Sequence, residues 1–195
     1  MRLWSIKTRA EVCAPLVFHT LTVTAIAFSK SSRYLLTAGR DRSWALYDTS
    51  HLQNNECQRI ASFAKAHTRI IWEAVFTPCE NFFLTASRDK TVKVWEMETK
   101  TVIKTIEFNA GVTSVDIQLF KNRNLLVVGL ENGDVHLVDF DLDMKEILPI
   151  LQIPYKHCHN SKVNSVKWRP NSKEGLFASC SDDCSVRILQ LKNFQ

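Results

Sequence analysis

The residues of this chain that could do chemistry are a histidine, a hydroxyl and an aspartate that occur in a fixed order. His67, Thr85 and Asp89 have the residue types of a nucleophilic triad, in which a carboxylate orients a histidine and the histidine activates a hydroxyl. The same types occur twice more, as His19, Thr37 and Asp41 and as His159, Ser179 and Asp183. The sequence therefore offers either a hydrolytic site or a structural device that is used three times.

Recurrence favours the structural interpretation. Catalysis needs one good site, whereas an architecture of repeated units needs the same device in each unit. We interpret each set as a buried relay, in which the aspartate accepts a hydrogen bond from the histidine and the histidine accepts one from the hydroxyl. The hydroxyl then faces a closing aromatic ring, at Tyr47 or Trp95. The competing hypothesis, a hydrolase, requires an exposed hydroxyl beside an oxyanion hole.

The elements that must position these residues are short β-strands. In the segment that starts at His67, β-rich runs cover Ile70–Phe76, Phe82–Ala86 and Thr91–Trp95, with turn signals between them. Strands this short are expected to form one small antiparallel sheet. A histidine before the first strand, a threonine in the second, an aspartate in the hairpin and a tryptophan ending the third are typical of a WD repeat, one blade of a β-propeller.

The WD-repeat pattern recurs along the chain and predicts an all-β fold, a partial β-propeller. The predicted units are residues 1–18 as the end of a blade, 19–66 and 67–108 as full blades, 109–156 as a degenerate blade, and 157–195 as a last blade with an incomplete outer strand. In the first unit, Trp4 takes the closing position and Glu11–Phe18 is the expected outermost strand. The degenerate unit keeps only Asn132, in the aspartate position. Helical periodicity is absent apart from a weak signal at Leu142–Leu148.

The WD-repeat pattern also predicts a group of basic residues on one face of the propeller. Arg40-Asp41-Arg42 and Arg88-Asp89-Lys90 are equivalent hairpins of adjacent blades, and equivalent hairpins of a propeller emerge on the same side. Arg69 and Trp72 are expected there as well. These residues form either a solvated rim or a surface for an acidic protein or for RNA phosphates, with Trp72 as an aromatic anchor.

Composition and sequence motifs limit the classes of function that the chain could have. The 195 residues are 45% hydrophobic with a formal net charge of +5, which suits a globular domain with a mildly basic surface. No apolar run approaches the ~20 residues that span a bilayer, and no phosphate-binding or dinucleotide fingerprint occurs. We therefore expect no membrane segment, no cofactor and no small-molecule ligand.

The six cysteines form no Cys-x-x-Cys pair, which predicts reduced thiols in an intracellular protein. A zinc site is the alternative for His157-Cys158-His159 together with Cys180 and Cys184. Their spacing matches no standard ligand set, and His159 is already assigned to a relay. The sequence thus predicts no metal.

Several stretches are more specific than the generic repeat. They are His19-Thr20-Leu21-Thr22-Val23-Thr24, Arg40-Asp41-Arg42-Ser43-Trp44, Arg69-Ile70-Ile71-Trp72, Ser87-Arg88-Asp89-Lys90, Gly129-Leu130-Glu131 and Phe177-Ala178-Ser179-Cys180. In this order they resemble the Elongator complex protein 2 family, the WD-repeat subunits of the Elongator complex. The resemblance covers nearly the whole chain and corresponds to the carboxy-terminal part of that family's second propeller.

The resemblance implies both a fold and a role. Members of the family have two seven-bladed propellers, so the chain is expected to be about four blades of a seven-bladed ring and part of a longer protein. The family holds the first and the catalytic third Elongator subunits together, in an assembly that modifies wobble uridines of transfer RNA. The expected function is a non-catalytic scaffold in the cytoplasm and nucleus that meets transfer RNA at most indirectly. The alternative is a free-standing WD-repeat adaptor that presents peptides or partner proteins in another pathway.

Overall fold

The described part of the chain is built from antiparallel β-sheets. The computed structural model describes residues 1–54, 56–121, 123–140, 149–155, 158–170 and 174–191, which contain 17 strands and one 3₁₀ helix at Leu52–Asn54. Within these ranges, no helix is long and apolar enough to cross a membrane. The weak helical signal at Leu142–Leu148 lies outside the described residues. The predicted all-β fold class, a partial propeller, is confirmed.

Four sheets follow one another as blades 1 to 4, after a short ribbon of β1 (Trp4–Ser5) and β2 (Ala10–Glu11). Blade 1 contains β3 (Val23–Phe28), β4 (Tyr34–Gly39), β5 (Trp44–Asp48) and β6 (Gln58–Phe63). Blade 2 contains β7 (Ile71–Phe76), β8 (Phe82–Ser87), β9 (Thr91–Glu96) and β10 (Val102–Glu107). Blade 3 contains β11 (Val112–Phe120), β12 (Arg123–Leu130), β13 (Val135–Phe140) and β14 (Pro149–Tyr155). Blade 4 contains β15 (Val163–Trp168), β16 (Leu176–Ser181) and β17 (Val186–Gln190).

The first strand of each blade lies beside the first strand of the next. β3 contacts β7, β7 contacts β11, and β11 contacts β15. These four strands are therefore the innermost ones, and the blades follow an arc around them. The last strand of blades 1 to 3 lies at the far edge of its sheet.

The middle strands are apolar on both faces because each lies between two layers. Leu35 and Leu36 of β4 are both fully buried, as are Phe83 and Leu84 of β8. The outermost strand β6, in contrast, is exposed at most positions. A strand that is covered on both faces requires a continuous apolar run, and this explains why these segments do not alternate in sequence.

Apolar clusters join each blade to its neighbour. Between blades 1 and 2, the ring of Trp44 lies edge-on to Phe83 and Trp95, with centroids 5.0 and 5.2 Å apart. Between blades 2 and 3 the cluster is mainly aliphatic, and Val94 and Leu126 are fully buried within it. Edge-on aromatic pairs stabilise by ~0.5–1.5 kcal/mol beyond the area that they bury.

Every innermost strand carries a bulge one residue after it begins. The pairing register shifts at Thr24, Trp72, Thr113 and Asn164. In blade 1 the bulged threonine links two blades, because the Thr24 hydroxyl donates a hydrogen bond to the carbonyl oxygen of Ile71. Thr113 makes the same link from blade 3 to blade 4.

Blade 2 is linked to blade 3 by a different residue, since it has no threonine at its bulge. Trp72 occupies its bulge, and the adjacent Glu73 accepts hydrogen bonds from the Ser114 hydroxyl and from the backbone N–H of Val115, at 2.9 Å, in blade 3. Lys167 of blade 4 lies 2.5 Å from the other carboxylate oxygen. Glu73 thus joins three blades, and Trp72 donates no hydrogen bond to a described residue of a neighbouring blade.

The segment ahead of blade 1 differs from the prediction. The expected outermost strand Glu11–Phe18 is wrong, since only Ala10–Glu11 is a strand and it pairs with Trp4–Ser5. Trp4 does not take a buried closing position, because it is 62% exposed. A two-stranded ribbon has no middle strand to cover an indole. Apolar residues of the segment, including Leu16, pack against the side of blade 1 instead.

Blade 3 forms a complete four-stranded sheet without a relay. In the place of the relay, Asn132 Nδ2 donates to Asp134 at 2.8 Å, and the ring of Phe108 lies edge-on to His136 with centroids 5.5 Å apart. The hairpin turns at Gly133 with a φ of 88°. Apolar packing and a well-formed turn therefore take over the role of the lost hydrogen bonds.

The hairpin between the second and third strands of each blade holds one residue in the left-handed backbone conformation. The φ angle is 66° at Arg42, 70° at Lys90, 88° at Gly133 and 64° at Cys184. Only glycine adopts this region without a steric cost. Three of the four hairpins therefore hold a side chain at a position that favours glycine.

We expect Gly133→Ala to destabilise the chain by ~1–3 kcal/mol, because the left-handed φ disfavours a side chain and the new Cβ would collide with the carbonyl oxygen of His159 in blade 4. Urea unfolding followed by tryptophan fluorescence would measure the loss. Gly111→Ala in the same blade is the matched control, since Gly111 has no left-handed φ and its new Cβ would meet the side-chain carboxylate of Glu131 first and a backbone atom, the carbonyl oxygen of Arg88, only at 3.2 Å. Equal losses in the two variants would contradict the explanation.

Candidate functional site

The relay of blade 2 joins the segment before β7, the strands β8 and β9 and the hairpin between them through one chain of hydrogen bonds. His67 Nδ1 lies 2.9 Å from Asp89 Oδ2, and His67 Nε2 lies 2.8 Å from Thr85 Oγ1. The indole N–H of Trp95 donates to the same hydroxyl oxygen at 2.9 Å. Because an ionised carboxylate can only accept, Nδ1 donates to Asp89 and Nε2 accepts from Thr85. Every polar atom in this chain of contacts has a partner.

Blade 1 repeats the relay with a different closing residue. His19 Nδ1 lies 3.1 Å from both carboxylate oxygens of Asp41, and its Nε2 lies 2.9 Å from Thr37 Oγ1. Tyr47 occupies the position of Trp95 and is 4% exposed. Burial raises the pKa of the Tyr47 phenol, as expected for a hydroxyl enclosed within the blade.

Blade 4 has the relay without an aromatic residue. His159 Nδ1 lies 3.0 Å from Asp183 Oδ2, and its Nε2 lies 2.8 Å from Ser179 Oγ. Leu189 takes the closing position and offers no donor. The histidine, the hydroxyl and the aspartate are thus the constant parts, while the closing residue varies.

A second hydroxyl that the sequence reasoning missed joins every relay. Ser43, Thr91 and Ser185 each lie two residues after the aspartate, with the oxygen 3.0–3.1 Å from Nδ1 of the histidine. The Thr91 hydroxyl also donates to Asp89 at 2.6 Å. The repeated Asp-x-Ser or Asp-x-Thr was a usable signal, because this pattern favours a turn in which the carboxylate accepts hydrogen bonds two residues on.

Hydrogen bonds keep the relay aspartates ionised. Burial opposes the ionisation of Asp89, but the hydrogen bonds that it accepts, first from His67, outweigh burial and hold the pKa of the carboxyl well below its usual value. The same balance lowers the pKa of Asp41. At Asp183 the largest cause of the lowered pKa is the hydrogen bond from the Ser185 hydroxyl.

The relay hydroxyls are buried too deeply for a substrate to reach them. Thr37, Thr85 and Ser179 are 1%, 0% and 2% exposed, and the side chains of His67 and His159 are fully buried. A substrate could reach these oxygens only if a blade opened. The geometry therefore fits internal fastening of strands and does not fit nucleophilic attack.

The residues that the alternative names as zinc ligands either hydrogen-bond to other groups or lie away from one another. His159 is held by Asp183 and Ser179, the Cys158 thiol lies 4.0 Å from the Ser179 hydroxyl, and Cys184 is exposed. His157 lies outside the described residues. Where the structure describes the chain, no group of three or more His, Cys, Asp or Glu residues is arranged to hold a metal ion.

The basic residues predicted to share a face lie at or beside the β4–β5 and β8–β9 hairpins. We call this set the basic face: Arg40, Arg42, Arg69, Trp72, Arg88 and Lys90. Its five cations are exposed, and Trp72 is half-buried. Arg88 is paired across to blade 3, with its Nε 2.9 Å from Glu131 Oε1.

Two cations lie over the ring of Trp72. The guanidinium carbon of Arg40 is 5.9 Å from the ring centroid, and Nζ of Lys162 is 5.3 Å from it. Such contacts stabilise by ~0.5–2 kcal/mol depending on exposure. Lys162 was missed from the sequence because it lies far along the chain from Trp72, and only the arc of blades brings the two together.

On this side of the molecule, equivalent hairpin residues carry different charges in different blades. Arginine or lysine flanks the relay aspartate in blades 1 and 2, whereas the residue that corresponds to Arg40 and Arg88 is Glu131 in blade 3 and Asp182 in blade 4. The relay aspartates are committed to their histidines. At this hairpin position blades 1 and 2 therefore present a cation and blades 3 and 4 a carboxylate, of which Glu131 is paired with Arg88 and Asp182 accepts a hydrogen bond from Asn164.

Comparisons with known proteins agree with this architecture. The WD domain, G-beta repeat family matches residues 11–48 and 151–189, and the TEP-1 C-terminal beta-propeller family matches residues 71–140. The chain is 35% identical, over 98% of its length, to Elongator complex protein 2 of Saccharomyces cerevisiae. The chain is homologous to part of Elongator complex protein 2. The Arabidopsis thaliana and Homo sapiens relatives of that name are 33% and 30% identical over 97% and 95% of the chain.

The predicted resemblance to Elongator complex protein 2 is thereby confirmed. The match covers 25% of the Saccharomyces cerevisiae and Arabidopsis thaliana proteins and 27% of the Homo sapiens protein. The chain thus spans about a quarter of the length of these relatives.

We expect Thr85→Val to destabilise the chain by ~1–3 kcal/mol, since the change keeps the shape but leaves His67 Nε2 and the Trp95 indole N–H buried without a partner. Urea unfolding at neutral pH would measure the loss. Thr105→Val, on the exposed edge of the same blade, should stay within ~0.5 kcal/mol of the unchanged chain. A Thr85→Val variant as stable as this control would refute the relay.

We expect the stability of the chain to fall in acid. The pKa of Asp89 is lowered in the folded state, so its contribution is complete well above the unfolded pKa of ~3.9 and is lost as the pH falls through that value toward the folded pKa. Urea midpoints measured from pH 7 down to pH 3 should decrease, and Asp89→Asn should decrease less steeply. Identical slopes for the two proteins would show that Asp89 does not contribute.

Proposed function

We propose that this chain is part of a non-catalytic WD-repeat scaffold of the Elongator complex. The observation that carries the proposal is that one enclosed relay recurs in blades 1, 2 and 4 of a chain homologous to Elongator complex protein 2. A protein whose histidine, hydroxyl and aspartate sets fasten its own strands acts through the surfaces that it presents to other molecules.

The finer assignment follows from the family resemblance. We infer that the chain helps to hold the first and third Elongator subunits together and that the third subunit supplies the chemistry. On this view the assembly modifies wobble uridines of transfer RNA, in the cytoplasm and the nucleus, and transfer RNA meets this chain at most indirectly. The basic face is the proposed contact surface, since aromatic residues and arginines are the side chains that most often dominate protein interfaces.

The proposal is tested by affinity purification of the tagged protein from cells, with quantification of the recovered proteins. We expect the first and third Elongator subunits to co-purify. Reversing two charges of the basic face, in Arg40→Glu with Arg42→Glu, should reduce their recovery about tenfold. Wobble-uridine modification, measured by mass spectrometry of transfer-RNA nucleosides, should fall in parallel.

Lys30→Glu is the matched control, because Lys30 is an exposed cation in the β3–β4 turn, which emerges on the opposite side of blade 1. This variant should recover the Elongator subunits normally. Recovery of other proteins without any Elongator subunit would refute the scaffold proposal and support the free-standing adaptor.

A further inference from the structure

The bulged residues of the four innermost strands surround one cavity. The cavity has a volume of about 360 Å³, and Thr24, Trp72, Thr113 and Asn164 line it together with Lys162. A β-bulge turns a side chain out of the regular alternation of its strand and is over-represented beside functional sites. Here four bulges direct one residue from every blade to a common space.

Trp72 is the lining residue that departs from the structural pattern. At the same position, Thr24 and Thr113 donate hydrogen bonds to the next blade, whereas in blade 2 the adjacent Glu73 makes the link. A large aromatic residue at this bulge is therefore not needed for blade packing. Positions that break a local structural rule while a neighbour compensates are candidates for function.

Two cations lie at the Trp72 side of the cavity, since Lys162 lines it and Arg40, which is not a lining residue, reaches the ring of Trp72. Arg40 and Lys162 both lie over the Trp72 ring, and within the described ranges neither forms an ion pair with a carboxylate. Glu73 also lines the cavity, but its carboxylate is engaged by Lys167 and by hydrogen-bond donors of blade 3. The ring of Trp72 thus holds two cations whose charges are available to a ligand.

We propose that this cavity binds a carboxylate side chain from a short acidic segment of a partner protein, an inference that rests on the proposed scaffold function. The carboxylate lies between Arg40 of blade 1 and Lys162 of blade 4 and pairs with both. Asn164 also lines the cavity, but its amide already donates to the carboxylate of Asp182, so the two cations are the groups that hold the ligand. The partner is therefore recognised where all four blades meet.

The surroundings favour a short peptide over a nucleic acid. Single-stranded nucleic acids bind along a continuous basic groove and stack their bases on open aromatic rings. The ring of Trp72 is already contacted by two cations, and the positive area ends at Glu131 and Asp182 on the hairpins of blades 3 and 4. A short acidic segment needs only the two cations at the Trp72 ring, whereas a phosphate backbone needs a basic groove that continues beyond them.

The test measures binding of two labelled probes to the purified chain by fluorescence anisotropy. The probes are a fluorescein-labelled peptide of alternating glutamate and glycine and a single-stranded RNA of the same length. We expect the peptide to bind, and Arg40→Glu combined with Lys162→Glu to weaken it at least about tenfold. Added salt should weaken binding by the unchanged chain much more than the residual binding of the double variant.

Lys30→Glu is again the control and should bind the peptide within about twofold of the unchanged chain. Trp72→Phe, which keeps an aromatic ring at the bulge, serves as a second variant and should lose less affinity than Trp72→Ala. No binding of the peptide by a folded chain, equal affinity in the double variant, or tighter binding of the RNA would each overturn the inference.

Failure of this inference is distinguishable from failure of the scaffold proposal. If the chain does not bind the peptide but still recovers the Elongator subunits from cells, only the proposed carboxylate site is overturned. A chain that binds the peptide through Arg40 and Lys162 but recovers no Elongator subunit would overturn the scaffold assignment and leave the acidic-segment site as measured.

Discussion

The structure depends on a histidine that is buried with a partner on each side of its ring. Each relay draws on the segment before the innermost strand, the second strand and the following hairpin, so a single imidazole fixes three parts of a blade. His67 illustrates the constraint, because its Nδ1 is committed to Asp89 and its Nε2 to Thr85. Each of these groups would cost ~1–3 kcal/mol if buried alone, so the set is stable only when it is complete. The device therefore specifies one arrangement of strands rather than merely adding stability.

The blades are joined to one another by a different rule, which is tolerant of substitution. Threonine links blade 1 to blade 2 and blade 3 to blade 4, and a glutamate links blade 2 to blade 3. Blade 3 shows the same tolerance within a sheet, since it lacks the relay and relies on buried valines and leucines with a glycine turn. Redundant linkage of this kind allows one position of a repeat, such as Trp72, to change without loss of the arc.

Much of the fold could be predicted from the sequence because the repeat places local signals in a fixed order. The strands of blade 2 were expected at Ile70–Phe76, Phe82–Ala86 and Thr91–Trp95, and each was found within a residue of these bounds. Alternation, turn residues and the relay all indicate the same arrangement there. The ribbon at Trp4–Ser5 was mispredicted because a tryptophan alone cannot show whether a middle strand exists to cover it.

The candidate cavity could be predicted only in part. Thr24, Trp72, Thr113 and Asn164 are each the second residue of an innermost strand, but strand propensity does not reveal a bulge, which depends on the pairing of two strands. The contribution of Lys162 depends on the curvature of four blades, a property that no local pattern encodes. In contrast, the hydroxyls two residues after each aspartate could have been predicted from the sequence. Asp-x-Ser and Asp-x-Thr favour a turn in which the carboxylate accepts hydrogen bonds two residues on.

The left-handed hairpin residues have a consequence for the stability of the chain. Blade 3 places glycine at the position, whereas blades 1 and 2 hold Arg42 and Lys90 there with φ of 66° and 70°. A side chain in this conformation costs roughly 1–2 kcal/mol relative to glycine. Glycine at both positions would remove this cost together with the two positive charges. The two positive charges that these hairpins add to the basic face therefore come at a cost in folding free energy.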